Sequence, residues 1–323
     1  IKWLGSQDWF DKVYAIGHRI VHGMDHTKAA IITRELLNEL NSFMDYDPDH
    51  LPSEIEIIKI LKKQYPHLIQ VACFDTAFHS TLPTIAKMFA IPAKYYREGI
   101  RRYGFHGISY SYLLQALKHI DGKLSGGRVI MAHLGNGASI AAIKNGKCID
   151  TSMGFTPAGG IVMGTRSGDL DPGIAWFLMQ KGSDARALND LINHQSGLLG
   201  ISGLSSDMQV LLAHEKDNGH ATLAIDIFCY QLKKYIGAYT AALGGLDALV
   251  FSGGIGENAE QIRTRVCDGL QYSGIVLDKK KNARHQLQVS SDESRVKVYV
   301  IPTNEELMIA EETLHLYNKH APK

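Results

Sequence analysis

The chain alternates between two hydrophobic periods. Short apolar runs bounded by glycine, proline or aspartate predict strands at 13–23, 69–75, 128–133, 139–143, 246–252 and 296–301, with a shorter return strand at 147–151. Between them, apolar residues three and four positions apart predict helices at 29–43, 110–120, 173–180, 185–194, 221–243 and 258–270. In the 221–243 segment Leu223, Ile227, Leu232, Ile236 and Tyr239 mark a core-facing stripe. Ser53-Glu54-Ile55-Glu56 reads as a capping box opening a helix with Ile55, Ile58 and Leu61 on one face and a stop at Pro66; Thr303-x-x-Glu306 reads the same way for a closing helix. The first strand is expected to leave its sheet at Gly17, and Asp75, at the end of another, to cap the turn that follows. Strands alternating with helices make this an α/β chain.

Three glycine-rich stretches break the pattern. His133, Leu134, Gly135, Asn136 and Gly137 form a tight turn between two strands, and Asn145-Gly146 a second turn of the kind that needs positive φ at both central residues. Without a Cβ in the way, backbone N–H groups in such a turn approach an anion closely, and a phosphate chain is a natural guest; a plain hairpin turn is the other reading. Residues 163–171 (MGTRSGDLD) set Arg166 among Gly164, Ser167 and Gly168, a loop that suits a planar guanidinium meeting a multi-oxygen anion, or a surface ion pair with Asp169 or Asp171. Gly253, Gly254, Ile255, Gly256 and Glu257 follow a strand, and no GxxxxGK[ST] sequence competes with them.

FDTAFH at 74–79, RRYGFHG at 101–107, HLGNG at 133–137, DTSMGFTP at 150–157, MGTRSGDLDP at 163–172, FSGGIGENA at 251–259 and PTNEEL at 302–307 occur in one order, and in that order the chain resembles the acetate kinase family from about residue 13 to residue 310. The resemblance implies a two-domain α/β fold of the ribonuclease H-like type, shared with actin-like ATPases and sugar kinases, with an active-site cleft between the domains. It implies domains at 1–76 plus 306–323 and at 77–305, and a homodimer. The implied reaction is reversible transfer of the ATP γ-phosphoryl group to acetate, giving acetyl phosphate and ADP, with propionate or another short-chain carboxylate as the alternative acceptor. Arg19 would grip the carboxylate, and Val21, Phe105 and Pro157 would line the acyl pocket. Asp75, His106 and Arg166 would serve the transferred phosphoryl group. His133 to Gly137, Asp207, Met208, Gln209 and Gly253 to Glu257 would contact the nucleotide, and Glu305 would bind Mg²⁺ or Mn²⁺. About a quarter of a full-length family member would lie upstream of Ile1.

Two stretches depart from the family pattern. With Pro48 as anchor, Asp45-Tyr46-Asp47-Pro48 stands where the family has Leu-His-Asn-Pro, so an acid replaces an apolar pocket residue and Tyr46 replaces a histidine. In 205–209 (SSDMQ) Asp207 is kept, but Gln209 replaces an arginine. These departures leave open a nucleotide-binding remnant with little turnover.

Two further readings rest on spacing alone. His18, His22 and His26 raise zinc, although H-R-I-V-H lacks the glutamate of H-E-x-x-H and the segment reads as a strand. Gly254-x-Gly256-x-x-Ala259, with Asp278 about twenty residues on, matches a dinucleotide fingerprint and hence an NAD-dependent dehydrogenase, with Glu257 standing where pyrophosphate would lie.

Composition narrows the classes. The 323 residues, 45% hydrophobic and 21% charged, suffice for two domains, and a net charge of +1 gives no basic field for nucleic acid. No apolar run approaches a membrane span of about 18 residues. Cys73, Cys148, Cys229 and Cys267 show no C-x-x-C spacing, which predicts free thiols and a reducing cytoplasm.

Overall fold

The computed structural model describes residues 2–320. They fall into two compact units: the first comprises the residues through Ser80, 105–112 and those from Asn304 onward, the second 81–104 and 113–303. Relative to the expected boundaries, 77–80, 105–112 and 304–305 group with the first unit.

In the first unit β1 (Ala15–Ile20) pairs parallel with β3 (Ile69–Phe74), and β2 (Ala30–Ile31) pairs antiparallel with β3, giving the order β1-β3-β2. Side chains of β3 alternate between two cores. Ala72 and Phe74 join Ile20, Leu36, Leu40, Leu51, Ile55 and Ile58 on one face, while Val71 and Cys73 meet Ile108, Ile309 and Leu316 on the other. The first face is covered by helices Arg34–Ser42 and Leu51–Gln64, the second by the closing helix Glu305–His320.

Several local expectations need correction here. β1 does not leave the sheet at Gly17, which pairs with Val71 and continues to Ile20. A Cβ on Gly17 would stand 2.4 Å from both Ile309 Cγ2 and Thr313 Oγ1, so the glycine seats the closing helix on the strand. The expected 29–43 helix is a short strand followed by a helix whose cap is Thr33, accepting from Leu36 N–H at 3.2 Å. The Ser53 box is not a cap, because the helix opens at Leu51, Ser53 donates to the His50 carbonyl and Glu54 turns to Val21 N–H. At the closing helix Asn304 accepts the Leu307 N–H at 2.9 Å.

The second unit holds β4 (Arg128–Leu134), β5 (Ala138–Lys144), β6 (Lys147–Thr151), β7 (Ala248–Ser252) and β8 (Lys297–Val300) in the order β6-β5-β4-β7-β8. β4, β5 and β6 form an antiparallel meander, and β4, β7 and β8 run parallel, the sheet expected for a ribonuclease H-like chain. β7 is wholly buried and β5 nearly so, which explains their continuous apolar runs. The helix Gly219–Leu243 packs on β4 and β5. At the second turn Asn145 and Gly146 both take positive φ, 52° and 71°, as their sequence predicts.

Candidate active site

Parallel pairing of β1 and β3 puts their carboxyl ends side by side, where α/β sheets present ligand-binding groups. Arg19, next to last in β1, meets Asp75, the residue after β3. Its Nε at 3.0 Å and Nη2 at 2.6 Å both donate to Asp75 Oδ2. Nη1 has no partner among the described residues, and the Arg19 side chain is 41% exposed against 0% for Asp75. Asp75 Oδ1 is buried and likewise has no hydrogen-bond partner there. Glu305, opening the closing helix, lies 3.7 Å from Arg19 Nε. Asp75 first, and Glu305 and Glu54 after it, hold the guanidinium firmly charged. Burial pushes the Glu305 carboxyl upward against the pull of Arg19.

The same end of the unit gathers residues 105–107, the close of the RRYGFHG segment. Gly107 N–H donates to the Asp75 carbonyl at 2.9 Å, and the His79 ring bonds the Phe105 carbonyl at 2.8 Å. His106 is buried with φ of 59°, a backbone conformation that a side chain other than glycine adopts only when its surroundings impose it. Val21 and Phe105 are buried, and the His22 ring stands edge-on to Phe105 at 5.5 Å and to Tyr46 at 6.0 Å.

The departure expected at Asp45 lies elsewhere. Asp45 is exposed, whereas Asp47 is buried with Oδ1 on His50 Nδ1 at 2.7 Å, and Glu54 accepts from Val21 N–H. The histidines raised for zinc have separate engagements. His18 bonds Gln70 at 2.8 Å, and His26 stacks on Phe74 and meets Glu39 at 3.3 Å. Among the described residues no three His, Cys, Asp or Glu side chains are grouped to hold a metal ion.

In the second unit two glycine turns converge. β4 and β7 are parallel neighbours in register from Val129↔Ala248 to His133↔Ser252, so the turns that follow them open together. Gly135 and Asn136 from one, and Gly254 and Ile255 from the other, line a pocket of about 790 Å³ with Asp207, Met208 and Gln209. The arginine loop joins them: Gly164 N–H donates to the Asn136 carbonyl at 2.9 Å, and a Cβ on Gly164 would lie 2.0 Å from Asn136 Oδ1. Arg166 Nη1 donates to the Pro157 carbonyl at 3.3 Å. Asp207 also caps its helix, accepting from Gln209 N–H at 2.8 Å.

Of the other residues expected at the nucleotide, Leu134, Gly253 and Gly256 are buried, and His133 and Gly137 stand outside the pocket wall. Glu257 accepts from Gly253 N–H at 2.8 Å and Thr303 N–H at 3.1 Å, so a carboxylate already holds the place where a dinucleotide's pyrophosphate would sit. Asp278 accepts from Lys280 and Lys281 N–H as a helix cap. The dehydrogenase reading falls on both points. Sequence reasoning missed Ser206, Leu212, Asn258, Ala259 and Gln261 in the wall. Asn258 and Gln261 follow Gly254 and Ile255 at helical spacing, a signal that was available. It also missed Arg263, fully buried, whose Nη1 donates to the carbonyls of Gly256 at 2.8 Å and Glu257 at 2.9 Å, tying down the end of the Gly253–Asn258 helix.

A model of the acetokinase family matches residues 5–311. The chain is 46% identical over 322 residues to acetate kinase of Phocaeicola vulgatus, covering 98% of this chain and 81% of that one, and 48% identical over 311 residues to acetate kinase of Finegoldia magna, covering 95% and 79%. Its structure is similar to that of a propionate kinase from Francisella tularensis, with a TM-score of 0.92 and 42% identity over 97% of this chain and 82% of that one. It is similar also to that of Porphyromonas gingivalis acetate kinase, with a TM-score of 0.89 and 43% identity over 95% and 79%. The chain belongs to the acetokinase family.

Proposed function

We propose that the chain is a short-chain acyl kinase that transfers the γ-phosphoryl group of ATP to acetate, reversibly, giving acetyl phosphate and ADP. The observation that carries this reading is the junction in the second unit: two glycine turns from neighbouring parallel strands and the Arg166 loop meet around one pocket, joined at Gly164 and Asn136. A carboxylate oxygen attacks the γ-phosphorus, the bond from that phosphorus to the β,γ-bridging oxygen breaks, and ADP leaves with the electron pair. Such a transfer asks the protein for positioning and charge stabilisation more than for covalent chemistry.

Arg19 holds the carboxylate through Nη1 while Asp75 fixes the rest of its guanidinium. Val21 and Phe105 offer the acyl group a buried apolar surface in the first unit. Arg166, in the second unit, is the group we assign to the charge on the transferred oxygens. Asp207, Met208, Gln209, Gly254 and Ile255 hold the nucleoside end, and the HLGNG turn approaches the phosphates. The residues fit Mg²⁺ or Mn²⁺: Glu305 offers a carboxylate, and the buried, unpartnered Oδ1 of Asp75 suits a water of the ion's shell. When bound, such an ion neutralises phosphate charge.

The active form is a homodimer. The helix Pro172–Gln180 is almost wholly apolar yet buries no residue, with Trp176 65% and Phe177 58% exposed, and a second copy is the occupant that covers such a face. The four cysteines are free and buried, which fits a cytoplasmic setting, and no described helix is long and apolar enough to cross a membrane.

The test is to trap acyl phosphate as hydroxamate from ATP and Mg²⁺ with acetate, propionate or butyrate. ATP-dependent product with acetate or propionate supports the reading. Nucleotide binding without product from any of the three favours the remnant.

A further inference from the structure

A third carboxyl acts electrostatically on Arg19 from a helix that none of the motif stretches reaches. Glu54, in the first turn of the Leu51–Gln64 helix, turns both carboxyl oxygens onto Val21 N–H at 3.3 Å. That long contact is its one hydrogen bond among the described residues, although a carboxylate offers about four acceptor positions. The charged groups acting on it are Arg19 from β1, Asp47 and His50 from the segment before its helix, and Asp75 from the end of β3; the helix Arg34–Ser42, packed against its own helix, adds none. With Glu305 also at Arg19, an anion approaching that guanidinium meets more acids than bases.

Resting on the acyl-kinase reading above, we propose that Glu54 is a specificity-determining residue for the acyl acceptor: the carboxylate binds Arg19 in the form of the protein with Glu54 protonated, so substrate binding takes up a proton. The geometry supplies the reason, since an ionised Glu54 held at Val21 would repel a carboxylate seated between Arg19 and the Val21 side chain. Burial first, with Asp47 and Asp75 adding and Val21 N–H and His50 opposing, raises the Glu54 carboxyl to about 7. The sign follows. A raised carboxyl is protonated below its folded value and ionised above it, so acceptor affinity is full below about pH 7 and falls as pH rises through it. Acetate itself stays ionised across that range.

The experiment measures the apparent KM for acetate at saturating ATP and Mg²⁺ from pH 6 to pH 9 in the wild type, Glu54→Gln and Asp45→Asn. The amide introduced by Glu54→Gln keeps an acceptor oxygen for Val21 N–H, and Asp45 is the exposed acid nearby. In the wild type and Asp45→Asn, KM for acetate should rise about tenfold per pH unit above 7 while KM for ATP does not follow. In Glu54→Gln it should stay near the low-pH value. A wild-type KM that stays flat, or a Glu54→Gln profile that follows the wild type, overturns the proposal. Proton uptake on adding acetate, read with an indicator dye in weak buffer at pH 8, keeps the two readings apart. If no variant turns over, the kinase reading fails, and the proposal stands with uptake by the wild type that Glu54→Gln lacks, and falls with equal or absent uptake.

Discussion

At the level of single residues, the pair Arg19–Asp75 is better understood as positioning than as stabilisation. The Arg19 side chain is 41% exposed, and ion pairs open to water contribute little to folding. The pair instead leaves one face of a fixed guanidinium for a ligand and one oxygen of Asp75 buried without a donor. Arg166 has a different setting, on a loop whose backbone is held by Asn136 and by the Gly197–Ser202 helix, where Leu198 and Leu199 N–H donate to the Met163 and Gly164 carbonyls at 2.9 Å. Replacing Arg166 with Ala removes the group we propose to meet charge in the transition state and leaves that backbone intact. The expected cost is about 3 kcal/mol of barrier, or about 10²-fold in kcat, with a small change in melting temperature. Steady-state kinetics with a thermal melt checks both, and unchanged turnover removes Arg166 from the mechanism. The placement of Arg19 and Asp75 at strand ends and of Arg166 in a glycine loop was legible from the sequence, whereas the roles proposed for them come from the family resemblance. Glu54 was not legible. S-x-x-E spacing marks caps, and in this chain the Ser53–Glu56 run lies inside a helix already opened by Leu51, which frees Glu54 to turn toward Val21.

At the level of elements, strands were easier to read than helix starts. The buried runs of β3, β4, β5 and β7 have one interpretation between glycine-rich turns, but a helix start depends on which of several polar residues caps it. Thr33 won where another position was expected. Gly17 shows the other limit. In sequence it looks like a strand end, and only the closing helix at its back explains it. Gly17→Ala would overpack the β1–helix contact against Ile309 and Thr313 and should lower stability by about 1–3 kcal/mol. Urea unfolding checks this through the midpoint at unchanged slope; a variant as stable as the wild type would mean that the helix does not depend on that contact.

At the level of the molecule, the α/β class follows from the alternation of strands and helices, and the family comparisons agree over nearly the whole chain. Linear boundaries cannot show the bond from Gly107 N–H to the Asp75 carbonyl, which groups 105–112 with the first unit. The apolar helix Pro172–Gln180 was legible as a helix, and its exposure was not. Trp176→Glu should convert a dimer to a monomer in sedimentation velocity, and a wild type that sediments as a monomer at micromolar concentration would remove the interface.

The central claim, that two glycine turns and the Arg166 loop serve phosphoryl transfer to a carboxylate, is tested most directly by hydroxamate trapping with acetate, Mg²⁺ and ATP. The account predicts product that depends on ATP and on acetate or propionate together. Bound nucleotide with no trapped product from any short-chain carboxylate would contradict it.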